Sequence, residues 1–431
     1  MAKIITRFPP SPTGNFHIGS ARTALFNYLF ANHNGGEMLF RFEDTDRERS
    51  KPEFEKDIIE GLAWLGLHTA PSAFRQSERT EIYKKHLLKL IENGAAFEAE
   101  DSTTTLGMKV VRFKNPNKTV TFHDAVRGDI TFDTTELGDF IIARTHDLPL
   151  YHLAVVIDDA EMGVTHIIRG EDHISNTQRQ LLLIEALGFV RPEYAHIPLI
   201  LAPDKSKLSK RHGAVSLSEY RAQGFVPEAL VNYLALLGWN PGGERELYTL
   251  GELEKEFTLD RVHKSGAIFN IEKLTWFNFE HLKQLSNEEY TMRLKEFTGR
   301  DVDARIVPLI KERAQTLAEA ARLLGEYDFL GAISYAPELL LQGGKIATEV
   351  ASNHLRALAV LLEPVPDEGF SAAQLKSIIM PYADSQGRGV VLWPLRVALS
   401  GREKSPDPFT LAALMGKKET LARIARAVES L

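Results

Sequence analysis

The chain has 431 residues, 44% of them hydrophobic and 25% charged, with a formal net charge of −7 and no cysteine. This length exceeds one ordinary core and predicts two or more folding units, while the composition excludes collagen-like, fibrous and disordered chains. The missing cysteine excludes disulfides, thiolate metal sites and a cysteine nucleophile, whereas an acidic total does not exclude a local basic face that binds phosphates.

In chain order, Lys3 to Phe8 reads as a strand ended by Pro9-Pro10, and a Pro/Ser/Thr/Gly loop leads to a helix over Ser20 to His33 that Gly35-Gly36 stops. Glu37 to Glu43 alternates as a second strand, and Ser50 to Glu53 has the spacing of a capping box ahead of a helical repeat of Phe54, Ile58, Leu62 and Leu65. Thr80 to Glu92 predicts another helix. Strand–helix–strand order with short turns points to a parallel sheet with helical crossovers. From Ala95 to Leu150, short Val/Phe/Thr runs between Asn-Pro-Asn and Arg-Gly-Asp turns predict a small mixed or antiparallel insertion. Alternation returns with strands at Tyr151 to Ile157, Thr165 to Arg169 and His196 to Ala202 and a helix at Asn176 to Leu187. After Ser216 the chain turns helical, and beyond His281 amphipathic segments such as Ile310 to Leu324, His354 to Leu362 and Leu411 to Val428 dominate.

The expected fold class is therefore α/β. A Rossmann-type parallel-sheet domain (1–94 and 151–202) carries the insertion (95–150), a signature-loop helical domain follows (203–281), and an all-helical half (282–431) ends the chain. No apolar run approaches the ~20 residues of a membrane-spanning helix. Met1 to Arg7 lacks a signal-type apolar stretch. A cytoplasmic protein without membrane attachment is expected.

Four segments carry chemistry. Pro10 to Ser20, with His17 and Gly19, follows the first strand and opens the first helix, whose free N–H groups suit phosphate; a Pro-rich turn with a helix-capping His is the bland alternative. Lys205 to Gly213 puts basic and hydroxyl side chains after a later strand, as a triphosphate clamp or as a solvated charge run. Arg41 to Arg49 places Glu43 at a strand end, in a ligand position or in surface salt bridges. The stretch from Tyr151 to His173 ends its apolar strand on Arg169. Its Asp158-Asp159 pair, on opposite faces of a strand, reads as a turn or surface feature and not as a metal pair. All four segments follow strands of one sheet, and one site at the strands' carboxyl ends explains them together.

On these residues the chain resembles the class I aminoacyl-tRNA synthetases, and within them the glutamyl-tRNA synthetases. His17-Ile18-Gly19-Ser20 is similar to the HIGH signature, and Lys207-Leu208-Ser209-Lys210-Arg211 to KMSKS. The strings FPPSPTGNFHIGSARTALFNYLFA, RFEDTDRERS and THIIRGEDHISNT resemble the glutamate/glutamine branch, and PLRVALSGREKSPDPF the end of bacterial glutamyl enzymes.

The resemblance implies a glutamate–tRNA ligase that uses ATP with Mg²⁺. His17, Lys207 and Lys210 would be catalytic. Ser11, Pro12, Thr13, Gly14, His17, Gly19, Asp172, Lys207, Ser209 and Lys210 would contact ATP. Arg7, Ser11, Glu43, Tyr151 and Arg169 would bind glutamate, and Asp46 and Arg49 would lie near the tRNA acceptor end. The inserted segment would bind the acceptor, residues 203–281 would contact the stem, and the C-terminal half would read the anticodon. Many relatives hold zinc through insertion cysteines. Here there are none, and Phe97 to Phe113 looks shortened, so neither zinc nor another protein-held metal is expected. The partners would be L-glutamate, ATP and tRNA-Glu, with tRNA-Gln left open, and a monomer is expected. Two arginines and one carboxylate complement the three charges of glutamate; which arginine takes the side-chain carboxylate stays open. The rivals are a glutaminyl enzyme, a truncated relative that modifies a tRNA base, and a catalytically silent RNA-binding paralogue.

Overall fold

The computed structural model describes residues 3–69, 74–100, 109–208, 211 and 216–431. The chain forms two compact units, Met1–Leu282 and Lys283–Leu431.

The first unit begins β1 (Ile5–Phe8), α1 (Ile18–His33), β2 (Glu37–Phe42), α2 (Pro52–Trp64), β3 (Phe74–Arg75) and α3 (Thr80–Glu92). The strands β1, β2 and β3 are parallel, with Ile5 opposite Glu37 and Arg41 opposite Phe74. Six strands follow: β4 (Ala96–Glu100), β5 (Lys109–Phe113), β6 (Thr119–Asp124), β7 (Gly128–Asp133), β8 (Phe140–Thr145) and β9 (Leu148–Pro149). Then come α4 (Tyr151–Glu161), β10 (His166–Gly170), α5 (Ile174–Leu187) and β11 (Glu193–Ile197). β10 pairs with β11 in parallel. Beside β1, the Thr165 N–H donates to Ile5 O at 2.9 Å, and the Ile5 N–H donates to Thr165 Oγ1 at 2.9 Å. Strand order thus reverses between β1 and β10, the place where open α/β sheets leave a crevice at their carboxyl ends.

α1 lies against that switch point. It packs on β1, β2 and β10 and also on helices further along the chain, so residues from Ile18 to Ala31 are buried around most of its circumference and no single apolar stripe exists. α2 and α3 bury one face each, through Ile58 and Leu62 and through Tyr83, Leu87 and Leu90.

In the insertion, β4, β5, β8 and β9 form an antiparallel sheet. The β6–β7 hairpin does something else. β7 is antiparallel to β6, but β6 joins β11 in parallel at Asp124 and Tyr194, so part of the insertion extends the main sheet.

Several expectations fail in the first unit. Tyr151 to Ile157 is the start of helix α4, not a strand, and Leu153 through Asp159 are all buried. A short apolar run buried on every side carries no period that separates helix from strand. Asp158 and Asp159 accordingly are neither turn nor surface residues, being 0% and 6% exposed. The capping box at Ser50 is also absent: Lys51 occupies the cap of α2 without a side-chain bond, and Pro52 starts the helix.

The strand expected over His196 to Ala202 breaks at Pro198 into β11 and β12 (Ile200–Leu201), and β12 runs parallel to β13 (Ala267–Ile268). Around them are α6 (Leu217–Ala222), α7 (Pro227–Leu236), α8 (Leu250–Glu256) and α9 (Ile271–Gln284). Real capping boxes open α6 (Ser216 with Glu219) and α8 (Thr249 with Glu252).

The second unit is helical, with no strand among its described residues: α10 (Asn287–Thr298), α11 (Val307–Lys311), α12 (Leu317–Leu324), α13 (Thr348–Leu362), α14 (Ala372–Gln386), α15 (Arg388–Ser400) and α16 (Pro408–Ser430). Ile310 to Leu324 is not one segment, because Thr316 accepts from the Glu319 N–H and starts α12 anew. α13 to α16 pack together, and the buried Arg423 of α16 donates to the carbonyls of Phe329, Leu399 and Gly331. α16 is kinked at Gly416, whose φ of 77° excludes regular helix. Among the described residues no helix is long and apolar enough to cross a membrane.

Candidate active site

A cleft of about 700 Å³ opens at the carboxyl ends of β1 and β10. Each wall comes from a different segment. β1 and the loop after it give Arg7, Ser11, Gly14 and His17; the start of α1 gives Gly19; Glu43 follows β2; Tyr151 opens α4; Arg169 and Asp172 come from β10 and its turn; Lys207 follows β12.

At one end sit His17, Asp172 and Lys207. His17 caps α1, its Nδ1 accepting from the Ser20 N–H at 3.2 Å while Nε2 lies 3.0 Å from Ser20 Oγ. Burial behind the ring lowers its pKa, and the Lys207 charge adds to the shift. The neutral ring thus carries its proton on Nε2. A Cβ on Gly19 would stand 3.0 Å from His17 Nδ1, so only glycine leaves the ring this position. At Gly14 a Cβ would meet nothing within 4 Å, so the protein's own packing makes no such demand there. Lys207 Nζ reaches Asp172 Oδ2 at 3.2 Å. Burial would raise the Asp172 pKa, but His173 and Lys207 outweigh it and hold it low.

The other end is a buried charge network. Arg41, fully buried, bonds Asp159 at 2.5 Å and Glu43 at 2.9 Å. Arg7 lies 3.4 Å from Asp159 and 3.5 Å from the Ile168 carbonyl. Asp158 accepts from Arg79 Nε at 2.8 Å, Gln76 at 2.8 Å and the Tyr83 hydroxyl at 2.9 Å. Burial pushes the Glu43 pKa up against the pull of Arg41. For Asp159 burial acts the same way, but Arg41 and Arg7 win and its pKa falls. Arg169 is also buried, with its pKa lowered by desolvation. Its Nε donates to His196 Nε2 at 3.1 Å and its Nη2 to Thr177 Oγ1 at 2.8 Å, while Nη1 has no partner among the described residues.

The class I tRNA synthetases (E and Q), catalytic domain, match residues 3–109 and 98–276, and an anticodon binding domain matches 271–428. Over 98% of its length the chain is 43% identical to glutamate–tRNA ligase 1 of Rubrobacter xylanophilus, covering 97% of that protein. It is 38% identical to glutamate–tRNA ligase 2 of Thermoanaerobacter pseudethanolicus, covering all of this chain and 98% of that one. A crystal structure of a glutamate tRNA ligase from Elizabethkingia meningosepticum in complex with its amino acid superposes over the whole of both chains, with a TM-score of 0.84 and 33% identity. The chain belongs to the class I glutamate–tRNA ligases.

In this ligase the residues singled out by sequence take different places. Ser11, Gly14, His17, Gly19, Asp172 and Lys207 line the cleft together with Arg7, Glu43, Tyr151 and Arg169. Pro12 and Thr13 do not: the Pro12 carbonyl accepts from the Lys51 N–H at 3.0 Å and the Thr13 N–H donates to Ser11 O at 2.9 Å, so they shape the loop. Asp46 and Arg49 pair loosely at 3.9 Å on the surface, outside the cleft lining. Ser209 and Lys210 lie outside the described residues. Sequence reasoning gave no role to Arg41, Asp124, Thr177 or His196; Arg41 meets Asp159, and His196 meets Asp124, only across long separations in the chain. The one available signal was Asp158-Asp159, two acids inside an apolar run, which in a buried helix require cations nearby.

Proposed function

We propose that the ligase activates L-glutamate with ATP in this cleft and transfers it to tRNA-Glu, with glutamate held by Arg7, Glu43, Tyr151 and Arg169. The observation that carries the reading is that Arg7, Glu43, Tyr151 and Arg169 line the same cleft as His17 and Lys207, with no carboxylate paired to Arg169 among the described residues. The side-chain carboxylate of glutamate supplies a charge for an arginine of this cleft to pair with; the neutral amide of glutamine does not. Guanidinium groups match carboxylates bidentately, and Glu43 complements the ammonium group.

In the first step a glutamate α-carboxylate oxygen attacks the α-phosphorus of ATP, the bond to the β-phosphate oxygen breaks, and pyrophosphate leaves. Nε2–H of His17 and the ammonium groups of Lys207 and Lys210 stabilise the charge that builds on the phosphate oxygens. Ser11, Gly14 and Gly19 let the nucleotide approach the N-terminus of α1. Among the described residues Asp172 is the single acid lining that end, and no group of three or more metal-binding side chains occurs among them. This donor set fits Mg²⁺ carried on the ATP phosphates, with Asp172 as the one carboxylate at hand, where it would neutralise phosphate charge. In the second step the 2′-hydroxyl of the terminal tRNA adenosine attacks the activated carbonyl, its proton is lost, and AMP departs. Catalysis is positioning and electrostatics, with no covalent enzyme intermediate.

Residues 95–150 with Asp46 and Arg49 are the part we assign to the acceptor end, 203–281 to the stem, and the helical residues 282–431 to the anticodon. We further read the ligase as a cytoplasmic monomer. The test is aminoacylation of tRNA-Glu and tRNA-Gln transcripts with each amino acid. Glutamate should be esterified and glutamine rejected by on the order of 10⁴, as for sites whose buried polar groups would be left unpaired. Comparable esterification of glutamine would overturn the pairing of a cleft arginine with the side-chain carboxylate.

A further inference from the structure

Arg169 has no carboxylate partner within an ion-pair distance among the described residues, and its orientation depends on neutral acceptors. The decisive one is His196, itself wholly buried. An imidazole nitrogen can accept from an N–H only when it carries no proton, so the bond from Arg169 Nε requires a ring protonated on Nδ1 alone. The structure supplies what selects that form. Asp124, also wholly buried, places Oδ2 2.6 Å from His196 Nδ1, and its carboxylate further accepts the backbone N–H groups of His196, Val126 and Arg127. A carboxylate can only accept here, so it draws the ring proton to Nδ1 and leaves Nε2 bare. Thr177 then takes Nη2, and Nη1 is left without a partner on a side chain that lines the cleft.

We propose that Asp124 and His196 are positioning residues that fix the Arg169 guanidinium, through the imidazole tautomer, in the wall of the cleft where it meets a carboxylate of glutamate. The inference rests on Arg169 binding glutamate. It has a topological corollary: Asp124 ends β6, so the inserted segment contributes to the amino-acid pocket of the main sheet as well as extending that sheet.

Asp124→Asn is the discriminating variant. Its amide oxygen keeps the backbone N–H groups of Val126 and Arg127, while its NH₂ donates to His196 Nδ1, moves the ring proton to Nε2 and sets two donors against each other at Arg169. Aminoacylation at saturating tRNA-Glu should show the KM for glutamate raised ~10-fold or more and the KM for ATP changed less than about twofold, since an unpaired buried donor weakens only the group it orients. ¹⁵N resonances of the His196 ring, assigned by their loss in His196→Gln, should report Nδ1–H in the unaltered ligase and Nε2–H in Asp124→Asn. His196→Gln, which retains an acceptor, should impair glutamate binding less than His196→Leu; this pair carries the same comparison if Asp124→Asn does not fold. Equal rises in both KM values, an Nε2–H ring in the unaltered ligase, or identical Gln and Leu variants would overturn the proposal. Arg169→Ala separates the two layers. If it leaves the KM for glutamate unchanged, the pocket assignment itself fails; if it raises that KM while Asp124→Asn does not, only the positioning pair fails.

Discussion

Replacing Arg41 by methionine tests the buried network that holds Glu43. Arg41 is 0% exposed and bridges Asp159 and Glu43, both nearly buried. Breaking a buried ion pair by removing one partner costs about 3–5 kcal/mol, because a charge is left uncompensated. Here Arg7 keeps a hold on Asp159 at 3.4 Å, which points to the lower end, about 3 kcal/mol. At about 2–4 °C per kcal/mol for a unit of this size, the midpoint of unfolding should fall by roughly 6–12 °C at pH 7.5. The pH dependence has a definite sign. Arg41 pulls both carboxylate pKa values down, so the variant's Glu43 and Asp159 bind protons at higher pH in the folded state. A folded state that binds more protons gains stability relative to the unaltered ligase as pH falls. The deficit should therefore narrow between pH 8 and pH 5, measured by differential scanning calorimetry of both proteins. A second variant, Arg41→Met with Glu43→Gln, should recover part of the loss. A midpoint within about 2 °C of the unaltered ligase, or a deficit that widens with acid, would refute the assigned network.

Lys210→Ala and Lys207→Ala should each slow glutamate-dependent ATP–pyrophosphate exchange, Lys210→Ala by roughly 100-fold or more; normal exchange would remove the clamp role. Gly19→Ala sets a methyl group 3.0 Å from the His17 ring and should lower kcat for exchange ~10-fold with little change in melting temperature, whereas Gly14→Ala, facing open space, should fold equally well and alter only the KM for ATP. Ending the chain after Leu285 should weaken tRNA-Glu binding at least ~10-fold while ATP binding stays within about twofold; unchanged tRNA affinity would cancel the anticodon assignment. Val190, 91% exposed, should accept serine with less than about 0.5 kcal/mol of change in denaturant titration.

The α/β fold class was legible because β1, α1 and β2 announce themselves locally, through Pro9-Pro10, Gly35-Gly36 and the alternation of Met38, Phe40 and Phe42. His17 and Gly19 were legible for the same reason, since the turn that holds them is built within a few residues. α4 was not: Tyr151 to Ile157 is apolar and partly β-branched, and its helical state is set by burial on all sides. The charge network was equally hidden. Arg41 finds Asp159 118 residues away and His196 finds Asp124 72 residues away, and no local spacing encodes such pairs. The insertion's share in the main sheet depends on the one register contact of Asp124 with Tyr194, which β6 read alone as half of a hairpin cannot reveal.

The central claim is that ATP and glutamate meet where the sheet order reverses, with the phosphates at His17 and Lys207 and the amino acid among Arg7, Glu43 and Arg169. A crystal structure with a non-hydrolysable glutamyl-adenylate analogue measures this directly. The account predicts the analogue's phosphorus beside His17, its ammonium group at Glu43 and a carboxylate on the Arg169 guanidinium. An analogue bound outside the cleft, or with its amino-acid side chain turned away from both arginines, would contradict it.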